Sequence, residues 1–273
     1  MTATATASAT RETHVPASPH RLTFFRQLHS ELIKLITVRS TWWSVGIVLA
    51  LTVGIAMLIA SAVDAPGFPG IQAVITPIQF TMLLAGILGA ISVTGEYSTG
   101  MIRSTLTADP IRGSVLAAKA TVLAVFMFVV SVVTFGVAAL VAGPILDPKD
   151  MGIDWSDAEM SIFPILAASV SMAVFALIGV AFGFIVRSGA GAIAATVGLL
   201  FVLPIVISMF GMAGPDWQWI LDAGDYLPMT AAQSVIIPQE GNGLDVGTGY
   251  LALAGWVVAG MLGAWGVLRG RDA

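Results

Sequence analysis

Six stretches without one charged residue or histidine interrupt this chain of 273 residues, and each is long enough to cross a bilayer. A helix needs roughly 20 apolar residues to span about 30 Å of hydrocarbon. The stretches are Trp42–Val63, Ile71–Thr94, Ala120–Ile145, Ser161–Val186, Ala190–Phe210 and Tyr250–Leu268. Pro77 and Pro204 fall inside the second and fifth, where neighbouring helices would satisfy the freed carbonyls. Composition agrees: 57% of residues are hydrophobic and 10% charged. A soluble domain carries about 25% charged residues, so a soluble enzyme is excluded. The expectation is an all-α membrane protein of six transmembrane helices.

Basic residues give the orientation. Arg11, Arg21, Arg26, Lys34 and Arg39 precede the first span, and Arg103, Arg112 and Lys119 lie between the second and third. Arg187 sits between the fourth and fifth, and Arg269 and Arg271 follow the sixth. Only Lys149 falls on the other side, among Asp147, Asp150, Asp154, Asp157 and Glu159. Both termini are therefore expected in the cytoplasm. Residues 1–20 are polar and of low complexity, with no apolar core of a signal peptide, and read as a disordered cytoplasmic tail. Few lysines and a single asparagine, beside abundant Ala, Val and Gly, hint at a GC-rich bacterial genome and hence a bacterial plasma membrane.

Three segments outside the spans carry structure of their own. In Arg21–Ser40, Phe25, Leu28, Leu32, Leu35 and Ile36 recur at helical spacing opposite Arg26, Gln27, Ser30, Lys34 and Thr37. That pattern suits an amphipathic helix in the cytoplasmic interface, whether a mere anchor or a moving part. Trp42 and Trp43 mark the entry into the bilayer. In the loop Gly95–Lys119, Ser98–Thr107 could form a short helix whose contact face is Met101, Ile102 and Leu106. Asp109–Pro110 there reads as a helix start. The third segment, Gly211–Gly249, is long, aromatic and acidic. It is expected to be a pair of short helices, partly re-entrant or capping the bundle.

Several chemistries are missing. The three histidines all precede the first span, so no span supplies a base for a serine nucleophile. No Cys, no metal-ligand cluster and no phosphate-binding G-x-x-x-x-G-K-[ST] run occurs. No catalytic or metal-binding residue is assigned, nor any nucleic-acid contact. An ion-driven carrier usually places ionisable groups at mid-depth, and none is present.

Two runs carry a family resemblance: SELIKLITVRSTWW before the first span, and GEYSTGMIRSTLTADPIRGSVLAAKA after the second. With the six-span layout they resemble permeases of the type-two class of ABC exporters, over about residues 22–270. The resemblance implies a single permease domain over 21–273, a second permease chain (a homodimer) and a separate ATP-binding subunit. That subunit, not this chain, would use ATP and magnesium. It also implies export of amphiphiles such as drugs, antibiotics or lipids.

Residue by residue, the family's coupling contact falls on Glu96, Tyr97, Met101, Ile102, Arg103 and Leu106, unless Glu96 is only an N-cap or an interface charge. The family's pathway implicates the second span, where Gln72, Thr76, Gln79, Gly86 and Ala90 share one stripe. That stripe lines a cavity or packs against another helix. Gly179 and Gly183 form a G-x-x-x-G pair assigned to packing. The competing reading is a non-transporting membrane sensor or scaffold that docks a cytosolic partner.

Overall fold

The structure, a computed structural model, describes residues 23–65, 67–108, 111–212, 214–238 and 243–270. The expected tail over 1–20, the Asp109–Pro110 pair and Asn242 lie outside the described residues. All regular structure among the described residues is helical. In order the helices are α1 (Phe24–Thr37), α2 (Arg39–Ala62), α3 (Gly70–Ile75), α4 (Ile78–Thr99), α5 (Met101–Ala108) and α6 (Arg112–Leu146). They continue with α7 (Ile162–Val186), α8 (Gly189–Val197), α9 (Leu203–Met209), α10 (Gln218–Gly224), α11 (Pro228–Ile236) and α12 (Val246–Gly270).

Six helical runs are long and apolar enough to cross a membrane: Arg39–Ala62, Gly70–Thr99, Arg112–Lys149, Ile162–Val186, Gly189–Met212 and Val246–Gly270. They cover the six charge-free stretches to within one residue and overrun most of their ends. The 35 residues of α6 extend about 50 Å at 1.5 Å per residue, well past the hydrocarbon thickness.

Two of the runs are broken, and proline explains both. In the second, α3 ends before Thr76–Pro77 and α4 restarts at Ile78. Pro77 has no N–H to continue the ladder. The fifth run passes through a π-helical turn, Gly198–Val202, directly before Pro204. A proline ring collides with the carbonyl four residues earlier, and widening the preceding turn relieves that contact.

The core is the pairing of α4 with α7, which also touches α6, α11 and α12. Lipid gives little hydrophobic drive between spans, so close packing of small residues must hold them together. Gly86, Gly89 and Ala90 on α4 meet Ala176, Gly179 and Gly183 on α7 backbone to backbone. A Cβ added at Gly89 would collide with the Ala176 carbonyl, and one at Gly179 with the Gly86 carbonyl. Buried hydroxyls return to their own helix: Ser169 Oγ donates to Ile165 O at 2.8 Å and Ser171 Oγ to Ala167 O at 2.9 Å.

The helix ends separate by charge. Arg112 Nη1 donates to Leu268 O at 2.5 Å and Arg187 Nη2 to Val267 O at 3.2 Å. These bonds gather the starts of α6 and α8 and the end of α12 at one basic end. The opposite, acidic end holds the described residues among 63–65, 67–69, 147–161, 210–212, 214–238 and 243–245, with α10 and α11 folded back on the bundle. There α11 buries Pro228, Met229, Ala231, Ala232, Val235 and Ile236 and packs against α7 and α12. Trp256 Nε1 on α12 donates to Tyr226 O at 2.8 Å.

Lys149, the lone basic residue of the acidic end, closes the end of α2. Its Nζ donates to Ala60 O at 3.1 Å, Ser61 O at 2.9 Å and Val63 O at 2.8 Å. A cation on terminal carbonyls supplies donors and opposes the helix dipole. Lys149→Met is expected to cost about 2 kcal/mol locally. Faster hydrogen exchange at the last turn of α2, with the centre of α7 unchanged, is the measurement that checks it.

Candidate functional site

The basic end is organised around α1. Val38, in an extended conformation, separates α1 from α2, and Trp42 Nε1 donates across the bend to Ile36 O at 2.8 Å. The amphipathic faces of α1 are the reverse of those of a helix on a soluble core. Phe24, Phe25, Leu32, Ile33 and Ile36 are exposed, while Glu31 and Leu35 are buried against the bundle.

Glu31 belongs to a four-charge cluster. Lys119 Nζ on α6 donates to Glu31 Oε2 at 2.6 Å, Glu96 Oε1 at 2.8 Å and Ser92 O at 3.5 Å. Lys34 Nζ donates to Glu31 Oε1 at 2.6 Å and Glu96 Oε1 at 3.1 Å. Glu31, Glu96 and Lys119 are 7%, 4% and 5% exposed, and the Lys34 side chain 27%. Ions this buried persist only when paired and hydrogen-bonded. Burial alone would raise the Glu31 carboxyl, but Lys119 and then Lys34 outweigh it, and it titrates below its ordinary range. Burial likewise opposes the Lys34 ammonium, yet Glu31 and Glu96 hold it above its usual value. The cluster ties α1 to the end of α4 and the second turn of α6.

This geometry divides the expected coupling residues into buried and exposed ones. Glu96 faces inward to the two lysines, and Ile102, 2% exposed, is buried beneath α5. Tyr97 is half-buried, its ring edge-on to Phe184 at 6.4 Å and beneath the Arg187 guanidinium at 5.3 Å. Leu106 packs partly against the core. Of the six residues named, Met101 and Arg103 are exposed. The helix expected over Ser98–Thr107 is two pieces: α4 ends at Gly100, whose φ of +73° is the left-handed turn that favours glycine, and α5 begins at Met101. Glu31 and Lys119, which share the cluster with Glu96, escaped sequence reasoning. Their signals were a Glu and a Lys three apart on α1, and a Lys flush against a charge-free stretch.

The second-span residues divide as well. Thr76 and Gln79 line a cavity of about 340 Å³ at the acidic end, between the α3–α4 break and α11. Asp225, Thr230, Gln233 and Ser234 complete its polar wall, and Ile75, Ile78, Ile236 and Ile237 its apolar one. Gln72 is half-buried outside that lining. Gly86 is packed closely instead: a Cβ there would lie 2.5 Å from Thr196 Cγ2. For Gly86, packing is the reason for the small residue.

The hydroxyls of this cavity have committed their protons. Thr76 Oγ1 donates to Gln72 O at 2.6 Å, Thr230 Oγ1 to Gly224 O and Leu227 O, and Ser234 Oγ to Thr230 O at 3.2 Å. Asp225, Gln79 and Gln233 make no side-chain hydrogen bond among the described residues. Burial, with Asp222 nearby, pushes the Asp225 carboxyl above its ordinary value. Asp225, Thr230, Gln233 and Ser234 were unreadable from sequence because they follow Gln79 by about 150 residues and lie outside the spans. No protein-family model matches the chain, and no curated protein matches it.

Proposed function

We propose that this chain is the membrane-spanning permease subunit of an ATP-driven exporter of the type-two ABC class. It would act as a pair of identical copies with a separate ATP-binding subunit in a bacterial plasma membrane. The observation that carries the reading is α5. It is a short helix between two long apolar ones, it presents Met101 and Arg103 outward, and it is rooted through Glu96 in a buried charge cluster. A push on α5 thereby reaches α1, α4 and α6 together. ATP-dependent contacts shift a conformational equilibrium only by touching its two states differently, and a rigidly rooted helix is suited to transmit that difference.

Other features agree with the reading. The basic residues of the α5 end favour the cytoplasm, and the apolar outward face of α1 suits an interfacial helix held at the lipid boundary. The returning pair α10 and α11 would form a partly re-entrant cap on the outer side. The fifth span buries Ala192, Thr196 and Leu200, but α9 buries none of its residues. That leaves room for a second copy beside α9 and Gln79, with the substrate pathway between the copies.

Co-expression with each ATP-binding subunit of the source genome tests the proposal. One subunit is expected to co-purify with this chain, and its ATP hydrolysis should respond to the partnership. Arg103→Glu should reduce the recovered partner about tenfold or more, since like charges brought together at such an interface cost a few kcal/mol. Failure of every subunit to associate, or undiminished recovery with Arg103→Glu, would sink it.

A further inference from the structure

We propose that the cavity between the α3–α4 break and α11 binds an organic ammonium group flanked by apolar substituents. The argument starts from donors and acceptors. The Thr76, Thr230 and Ser234 hydroxyls have given their protons to main-chain carbonyls, so toward the cavity they offer lone pairs only. Asp225 is an acceptor with a negative charge and no hydrogen-bond partner among the described residues. The Gln79 and Gln233 amides are also unengaged and can turn their carbonyl oxygens inward. A wall with this excess of acceptors selects a ligand rich in donors.

Charge points the same way. Asp216, Asp222, Asp225 and Asp245 all lie in the segment that closes this end. Lys149, the basic residue of that end, is spent on the α2 carbonyls. No cation neutralises Asp225 among the described residues, and Asp222 adds to the negative potential. An anionic ligand would meet uncompensated repulsion, and a neutral one would leave the negative charge uncompensated. Ile75, Ile78, Ile236 and Ile237 then contact the apolar flank, in a volume of about 340 Å³. That is at the lower end of small-molecule pockets, so it takes the head of an amphiphile rather than all of a large one.

This deepens the transport reading by naming its substrate class, but the binding does not require an ATP-binding partner and is tested without one. The purified chain in phosphatidylcholine nanodiscs is titrated with dansylcadaverine, a fluorescent primary amine, and with its uncharged N-acetyl derivative. Empty nanodiscs correct for partitioning into lipid. The amine is expected to bind saturably and at least about tenfold more tightly than the acetylated probe. Asp225→Asn should weaken amine binding about 10- to 100-fold and leave the acetylated probe unchanged. Asp154→Asn, exposed on the connection between α6 and α7 and outside the cavity lining, should change either affinity less than about threefold. Gln233→Leu serves as the second variant should Asp225→Asn not fold, and is expected to weaken amine binding about fivefold or more. Equal affinity for the two probes, or undiminished amine binding by the folded variants, overturns the proposal. Selective binding without any associating ATP-binding subunit would uphold the site and count only against transport.

Discussion

Lys119→Met is expected to be the most damaging single substitution in this chain, at about 3–5 kcal/mol. The change keeps the volume and removes the cation that Glu31 and Glu96 share. Lys34 alone, 27% exposed and turned partly to solvent, then faces two buried carboxylates. The loss is the cost of unpaired buried charge, so further substitution should reverse much of it. Glu31→Leu, Glu96→Leu and Lys119→Met together are expected to recover most of the stability, because an apolar replacement of a buried ion cluster is often neutral or better.

Unfolding of the purified chain in mixed micelles gives the stabilities. Cross-linking of cysteines at Gln27 and Ser114, whose side chains bond at 3.2 Å, by a short bifunctional thiol reagent reports whether α1 is docked. Cysteine is absent from the natural sequence, so the pair needs no background changes. Glu31, titrating low, contributes stability above the ordinary glutamate pKa and loses it as pH falls through its depressed value. Lys34, titrating high, contributes below the ordinary lysine pKa and loses it as pH rises through its raised value. Docking of α1 should therefore hold across neutral pH and fail first in acid. If the Lys119→Met protein unfolds like the wild type, the cluster does not hold the bundle.

Gly89→Ala should be the next most severe change, at about 2–3 kcal/mol, near the top of the usual range for overpacking. The added methyl would meet the backbone of Ala176 rather than a side chain that could turn away. Relief then requires α4 and α7 to separate, which loosens contacts along the whole interface. Gly179→Ala pushes the same two helices apart from the other side, so the double substitution should cost less than the sum of the singles. Gly54→Ala, with nothing within 4 Å of the added carbon, should be neutral or stabilising by a few tenths to about 1 kcal/mol. A Gly89→Ala protein as stable as Gly54→Ala would show that the close approach of α4 and α7 is not needed.

The spans were legible because charge is intolerable in hydrocarbon, a constraint that acts on each segment alone. Most helices run past the charge-free stretches, as α6 does, because a helix can continue into water where charge returns. Pro204 marked a disturbance but not its form, because whether a turn widens or kinks depends on the helix's neighbours. The site was harder because its meaning lies in pairings across the chain. Lys34 looks like a water-facing residue of an amphipathic helix until Lys119 and Glu96 arrive beside it. Gly86 could equally have faced a channel or a helix, and only Thr196 and Leu200 of the fifth span decide. Thr76 and Gln79 stood out as polar residues in an apolar run, but the acidic partner across their cavity belongs to a distant segment with no periodicity of its own.

The burial of Glu31 also imposes an order of assembly. Glu31 and Lys119 are 88 residues apart, so α1 leaves the ribosome long before its counter-ion exists. Until then its charges must stay in water while α2 and the second span enter the membrane. Docking of α1 is thus a late event, possible only after α6 has been delivered, and it seals three elements at once. An incomplete chain that stops before Lys119 leaves Glu31 and Glu96 with only Lys34 between them, a charge imbalance by which a cell could tell it from a finished one.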